Sequence, residues 1–184
     1  MIETVKDLKE CLSIEKKKIF CNLEFKGILW CYLTKDHWTQ IYRYQKLLRY
    51  ELFHRQKNRN LYHKIMEGIY CRKKNILGNK LGFYIGCEVF DEGLVIYHHG
   101  SVIVNGNARV GKNCCLHGDN CIGNDGKTNG TPVLGDNVEL GVGAKVIGEI
   151  TIANNITIAA GAVVVDSFLE EGITIGGVPA RRLK

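Results

Sequence analysis

The sequence predicts a mainly β fold, a parallel β-helix built on a six-residue repeat, preceded by an α-helical N-terminal domain. Three observations predict it. Aliphatic residues recur in one six-residue phase: Val104, Val110, Leu116 and Ile122, then Leu134, Leu140, Val146, Ile152, Ile158 and Val164. The step from 122 to 134 is two repeats, so the phase survives it. Glycine is unevenly spread, with 17 of 21 glycines and both prolines beyond residue 82. Before that point, apolar residues recur at spacings of three and four instead, the period of a helix face.

The elements follow in order. A first helix is expected from Thr4 to Lys18. A second begins at Asp36, a good N-cap because its carboxylate can accept the unpaired N–H groups of the first turn. Ile41, Tyr44, Leu48 and Leu52 form its buried face. A third helix is expected from about Asn60 to Lys74. The basic helical domain therefore spans residues 1–82.

In residues 83–184 each six-residue unit reads as a short strand and a tight corner, with the aliphatic side chain stacked inward. The fifth position of each unit is small or β-branched: Ala108, Cys114, Val138, Ala144, Ile150, Ile156 and Ala162. The residue after the aliphatic is often Gly111, Gly123, Gly135, Gly141, Ala153 or Ala159. Three strands per coil give roughly five coils, a small solenoid. Residues 124–132, NDGKTNGTP, lack the aliphatic punctuation and read as a loop extruded from one corner. Long loops on rigid scaffolds carry function more often than the scaffold does.

Composition narrows the classes. The chain has 184 residues, 45% of them hydrophobic, which fits a folded core. No apolar run reaches the roughly 18 residues a membrane helix needs. The charged start, MIETVKDLKE, is unlike a secretory signal, so the expected location is cytoplasmic. The eight cysteines show no CxxC spacing and read as reduced thiols. Cys114, Cys115 and Cys121 with His117 are poorly spaced for zinc, and no metal is expected. Residues 1–82 hold 18 Lys and Arg against 8 Asp and Glu, a net +10, whereas residues 83–184 carry a net −4. A basic half with aromatics raises a non-enzymatic reading, a binder of nucleic acid or an anionic surface. The aromatics fall at helical spacing and no nucleic-acid motif is present, so nucleic acid is not the expected partner. Peripheral contact with an anionic membrane stays open.

The chemistry-bearing stretch is GLVIYHHGSVIVN, with His98 and His99 adjacent. Successive side chains of an extended segment face opposite ways, so the two are not expected to share a duty. Counting back six from Val104 lands on His98, nominally an inward position in an irregular first coil.

The stretch GVGAKVIGEITIANNITIAAGAVVV, with GGVPARRLK, resembles the hexapeptide-repeat acyltransferases over residues 82–184. Within them it resembles serine acetyltransferases and the related O-acetyltransferases encoded with capsule and exopolysaccharide genes. The resemblance implies a left-handed parallel β-helix, a homotrimer and acetyl-CoA as co-substrate. It puts the catalytic base on His98, which takes a proton from an acceptor hydroxyl as that oxygen attacks the thioester. Backbone N–H groups would hold the oxyanion, and no acyl-enzyme is needed.

The departures bear on the acceptor. Serine acetyltransferases resemble one another in an Asp just before the base, where this chain has Tyr97, and in an Arg-His pair before the loop proline, where it has Thr131. Phe83 stands where the orienting acid is expected, leaving Glu88, Asp91 and Asp119 as substitutes. Without charged partners a zwitterion is hard to desolvate, so the sequence favours a sugar or polysaccharide-precursor hydroxyl. Serine O-acetylation for cysteine biosynthesis is the alternative. Tyr97, His99 and His117 are the expected acceptor pocket. For the donor, Gly143, Ala144 and Ala160 match positions where small side chains admit the pantetheine arm. Lys145, Arg181, Arg182 and Lys184 are candidates for the CoA phosphates.

Overall fold

The computed structural model describes residues 2–57 and 60–183. The chain divides into two units, residues 1–81 and 82–184.

In the first unit, α1 (Val5–Ile19) starts where Thr4 caps it: the Thr4 hydroxyl accepts the Asp7 N–H at 3.1 Å, and the Asp7 carboxylate accepts the Thr4 N–H at 2.8 Å. That reciprocal cap satisfies two donors that the first turn leaves unpaired. Next comes α2 (Phe25–Thr34), a helix the sequence did not announce. Its run FKGILWCYLT has no polar face, so no periodicity marks it, and Phe25, Trp30 and Leu33 stay largely exposed. It stops at Lys35, whose φ of 55° is left-handed. Asp36 then caps α3 (His37–Gln56) through the Trp38 N–H, as its position predicted. Finally, α4 (Leu61–Leu81) runs past Lys74 because NILGNKL contains only Gly78 against helix, and Gly78 is buried.

Ile41, Tyr44, Leu48 and Leu52 of α3 are buried. Among them lie two ion pairs. The Glu15 Oε1 accepts from Arg49 Nε at 2.9 Å and Nη2 at 2.6 Å, with both side chains at most 1% exposed. Lys74 Nζ meets Glu51 Oε2 at 2.8 Å. Among the described residues no helix is long and apolar enough to cross a membrane.

The second unit is a stack of short strands. The first coil holds β1 (Phe83–Tyr84) and β2 (Val95–Ile96). The second holds β3 (Val102–Val104), β4 (Arg109–Val110) and β5 (Cys115–Leu116). The third holds β6 (Cys121–Gly123), β7 (Val133–Leu134) and β8 (Glu139–Leu140). The fourth holds β9 (Lys145–Ile147), β10 (Thr151–Ile152) and β11 (Thr157–Ile158). The fifth holds β12 (Val163–Val164) and β13 (Thr174–Gly177), and β14 (Ala180–Arg182) folds back antiparallel on β13.

Every strand up to β13 pairs in parallel with its counterpart one coil on. The result is three sheets: face A carries β1, β3, β6, β9 and β12; face B carries β4, β7 and β10; face C carries β2, β5, β8, β11 and β13. Phe90 and Phe168 bridge to face B where the end coils lack a strand. All ten residues of the six-residue phase are at most 3% exposed and stack as one core column. Along one corner the left-handed residues Asn113, Asn137 and Asn155 form a ladder, each side-chain amide donating to the next at 3.0 and 2.9 Å. Asparagine tolerates that conformation and links the coils, which is why corners favour it.

Candidate functional site

The corner where face C turns into face A gathers most of the predicted site. β2 ends at Ile96, and the Tyr97 N–H continues its register by donating to the Leu116 carbonyl at 2.9 Å. Tyr97 thus stands one coil from His117, their rings 4.6 Å apart and tilted by 32°. His117 Nε2 lies 2.7 Å from Glu139 Oε1, one coil further on, which gives the imidazole a fixed carboxylate partner.

His98 follows at the turn. His98 is exposed, not inward as the six-residue count from Val104 suggested, because the inward residues on either side, Ile96 and Val104, are eight residues apart and the chain leaves the strand register after Tyr97. His99 is exposed as well. Gly118 lies against His98: a Cβ there would come within 3.4 Å of the His98 Cβ, and φ of 112° is one that L side chains rarely adopt. Gly118, Gly143 and Gly161, all with left-handed φ, run down this corner. The Gly143 N–H donates to Gly118 O at 3.0 Å, and the Gly161 N–H to Val142 O at 2.8 Å. The exposed imidazole therefore stands at the head of a column that bears no side chains.

Asn120 pins the column, and sequence reasoning missed it. It is 1% exposed, its Oδ1 accepts the Gly118 N–H at 2.9 Å, and its Nδ2 donates to Gly141 O at 2.8 Å and Ala144 O at 3.3 Å. The signal was available. Position 120 is the fifth of its unit, where Ala108, Cys114, Val138, Ala144 and Ile156 are apolar and fully buried. A lone asparagine in that row has to bond to backbone.

Of the substitute acids, Asp119 sits at this corner, with φ of 54° and Oδ2 3.9 Å from where a Gly143 Cβ would be. Glu88 and Asp91 are exposed on either side of the Phe90 bridge, in the segment leading to face B.

The donor candidates disperse. Gly143 is in the corner column. Ala144 is fully buried, so its methyl fills the core and only its carbonyl faces the corner. Ala160 is exposed and abuts Gly141, where a Cβ would come within 2.6 Å of the Ala160 N. Lys145 is exposed on face A, its Nζ donating to Gly143 O at 3.0 Å. Arg181 and Arg182 lie on β14, paired with Asp166 at 3.0 Å and Glu170 at 2.6 Å. Lys184 lies outside the described residues.

Cys114 is buried, and burial pushes its thiol well up, away from the thiolate range. Burial raises Cys121 too, against the opposing pull of Lys145. Neither is disposed to act as a nucleophile at neutral pH. Among the described residues no group of three or more His, Cys, Asp or Glu is placed to hold a metal ion.

The 124–132 segment joins β6 to β7, at the corner between faces A and B. Asp125 organises it, its Oδ1 accepting from the Thr128 and Lys127 N–H groups at 2.9 Å each, which holds the carboxyl below its ordinary value. Gly130 packs directly on the Glu149 side chain, leaving no room for a Cβ.

No protein-family model matches the chain. It is 32% identical over 133 residues to a serine acetyltransferase of Staphylococcus xylosus, covering 66% of this chain and 61% of that one. It is 37% identical over 92 residues to a serine acetyltransferase of Synechococcus elongatus, covering 49% and 37%. The chain thus spans about three fifths or less of the length of these relatives. Among solved structures, the serine acetyltransferase of Brucella abortus in complex with coenzyme A superposes with a TM-score of 0.74 at 20% identity, covering 99% of this chain and 70% of that one. The Neisseria gonorrhoeae serine acetyltransferase in complex with serine gives 0.71 at 23%, covering 98% and 70%. At these identities the superpositions establish a shared fold. The chain resembles the serine acetyltransferases in sequence and fold together.

Proposed function

We propose that this protein is an acetyl-CoA-dependent O-acetyltransferase of the hexapeptide-repeat kind, with serine as its acceptor. The observation that carries the proposal is the exposed His98 at the head of a glycine corner, in a chain whose relatives are serine acetyltransferases. In the reaction, His98 takes the proton of the acceptor hydroxyl while the oxygen forms a bond to the acetyl carbonyl carbon. The C–S bond of the tetrahedral intermediate then breaks, and the departing CoA sulfur receives the proton back from the imidazolium. The products are an O-acetyl ester and free CoA. Asp119 is the acid at the same corner and the proposed orienting group for His98. Tyr97, His99 and His117 line the acceptor side.

The β-helix is taken to be left-handed and the active assembly a cytoplasmic homotrimer. Topology supports assembly: His98 is at the corner between faces C and A, whereas the 124–132 loop leaves the corner between A and B. A site that uses both would need a second copy. Gly143, Ala160 and Lys145 are the proposed contacts of the CoA arm and phosphates.

Relatives favour serine over the sugar hydroxyl that the sequence favoured. The second reading, an uncharged acceptor, keeps one specific observation: Tyr97 and Thr131 replace charged residues of the serine enzymes. Thiol release from acetyl-CoA, measured with serine and with a panel of sugars and sugar nucleotides, decides between them. Turnover with serine alone supports the proposal. Turnover with sugars and none with serine overturns it in favour of the second reading, and no turnover with any hydroxyl refutes the acetyltransferase itself.

A further inference from the structure

We propose that the helical unit carries a separate anion site, between the end of α2 and the first turns of α3, that binds a soluble phosphorylated ligand bearing a ring, such as a sugar phosphate or nucleotide. A cavity of about 660 Å³ there is lined by Tyr32, Lys35, Thr39, Gln40, Tyr42, Arg43 and Lys46. The volume lies within the range of small-molecule sites and exceeds what a bare phosphate needs.

Three features give the site its chemistry. First, Lys35, Arg43 and Lys46 all line it, and no Asp or Glu does. Four other cations of this unit do have carboxylate partners: Lys6 with Glu10, Arg49 with Glu15, Arg55 with Glu67 and Lys74 with Glu51. Among the described residues none of the three lining cations pairs with a carboxylate. Three like charges around one hollow repel one another until an anion enters, so the arrangement favours a multiply charged guest. Second, the cations are presented at fixed places. Thr39, Tyr42, Arg43 and Lys46 fall at helical spacing on one stripe of α3, and Lys35 is set by the left-handed turn that ends α2. The Arg43 fork suits two oxygens of a phosphoryl group, and Lys35, Lys46 and the Gln40 amide add donors. Third, the walls are aromatic and braced. Phe20 holds Tyr32 at 6.2 Å and Tyr42 at 5.8 Å between ring centroids, and the Tyr42 hydroxyl donates to Leu12 O at 3.3 Å. Tyr32 is 47% exposed, so a flat face remains for a sugar or base to lie against.

The site lies within residues 32–46, does not depend on acetyl transfer and shares no residue with the His98 corner. The test titrates the full chain with inorganic pyrophosphate and with uridine diphosphate by calorimetry. It compares the wild type with Arg43→Gln, the triple Lys35→Gln, Arg43→Gln, Lys46→Gln variant, and Tyr32→Ala. All are surface-facing side chains, and an unchanged helical circular-dichroism spectrum certifies each fold. Both probes should bind the wild type. Arg43→Gln should weaken both about tenfold, and the triple variant at least a hundredfold, since each lost charge-assisted contact is worth about a factor of ten. Tyr32→Ala should weaken uridine diphosphate and leave pyrophosphate unchanged. Equal binding by the wild type and the triple variant, or no binding at millimolar probe, overturns the site. Binding only to phosphatidylglycerol vesicles, with neither soluble probe held, overturns the soluble ligand in favour of a membrane surface.

Discussion

Replacing Asn120 with alanine tests whether the corner beneath His98 is held from inside. The side chain makes three hydrogen bonds in a place that is 1% exposed. Two of its partners have other donors: Gly141 O also accepts the Ala144 N–H at 3.1 Å, and Ala144 O accepts the Cys121 N–H at 3.3 Å. Losing Nδ2 therefore forfeits about 0.5–1.5 kcal/mol of net hydrogen bonding. The Gly118 N–H is worse off, because Asn120 Oδ1 is its acceptor and Gly118 is buried. Leaving it unpaired costs about 1–3 kcal/mol. Together these give about 1.5–4.5 kcal/mol, or about a 10- to 1,600-fold loss of equilibrium protection at the corner.

Hydrogen exchange read by mass spectrometry on peptides spanning 116–121 and 141–146 measures that quantity locally. Tryptophan fluorescence would not, because Trp30 and Trp38 both belong to the helical unit. Asn120→Asp supplies the control: its carboxylate keeps the Gly118 bond but turns an oxygen toward two carbonyls, so it should destabilise at neutral pH and recover as the carboxyl is protonated. Acetyl transfer should fall in both variants, with kcat affected more than KM. A loss of protection below threefold in Asn120→Ala would refute the reasoning.

His98→Ala should lower kcat about 10²- to 10⁴-fold in the thiol-release assay, the usual contribution of a general base, whereas His99→Ala should retain most activity. Equal losses would remove the distinction between them. Arg49→Ala should destabilise the helical unit by about 3–5 kcal/mol, because it strands the Glu15 carboxylate in a dry interior, and tryptophan-monitored urea unfolding reads it. His54 Nδ1 lies 2.8 Å from His63 Nδ1, an arrangement in which one ring donates and the other accepts. Burial, then His63, hold the His54 imidazolium below its ordinary 6.5, against a smaller opposing pull from Glu67. The unfolded chain then binds protons that the folded chain does not, so stability is complete above pH 6.5 and is lost as pH falls from there through the depressed folded value. The urea midpoint of the helical unit should drop across that window, and less so in His54→Phe.

The β-helix was legible because its grammar is local. A stack of coils repeats one environment, so Val104 through Val164 report the core at every sixth residue, and all ten are buried. The helices were legible where they are amphipathic or capped, as at Asp36, and illegible at α2, whose FKGILWCYLT has no face to contrast. Of the candidate corner, some residues were legible and others were not. His98 and Tyr97 came from a motif, and the register then explains why His117 stands beside Tyr97. The outward turn of His98 was not readable, because the first coil breaks phase at the residue where the strand ends. At Ala144, which the family resemblance put on the donor side, the methyl lies in the core and the carbonyl accepts from Asn120 at the corner.

The acceptor question turns on where charge sits, and the coil register brings close to Tyr97 a charge that is distant in the sequence. The argument against serine had two halves: Thr131 stands where a basic pair would meet the substrate carboxylate, and Tyr97 replaces an acid, leaving the ammonium without a counterion. Yet Tyr97 packs on His117, and His117 is bonded to Glu139, whose side chain is about half exposed. One carboxylate therefore stands on face C within reach of the Tyr97 corner, supplied from two coils away. On the serine proposal it is the available partner for the ammonium, and its removal should act on binding rather than on proton transfer. Glu139→Gln should then raise KM for serine about tenfold or more, the scale of one charge-assisted contact, with kcat nearly unchanged. A sugar acceptor has no ammonium and would respond to Glu139→Gln only through the orientation of His117. A serine KM that does not move in Glu139→Gln, with kcat equally intact, would separate serine recognition from this carboxylate and return the weight to an uncharged acceptor.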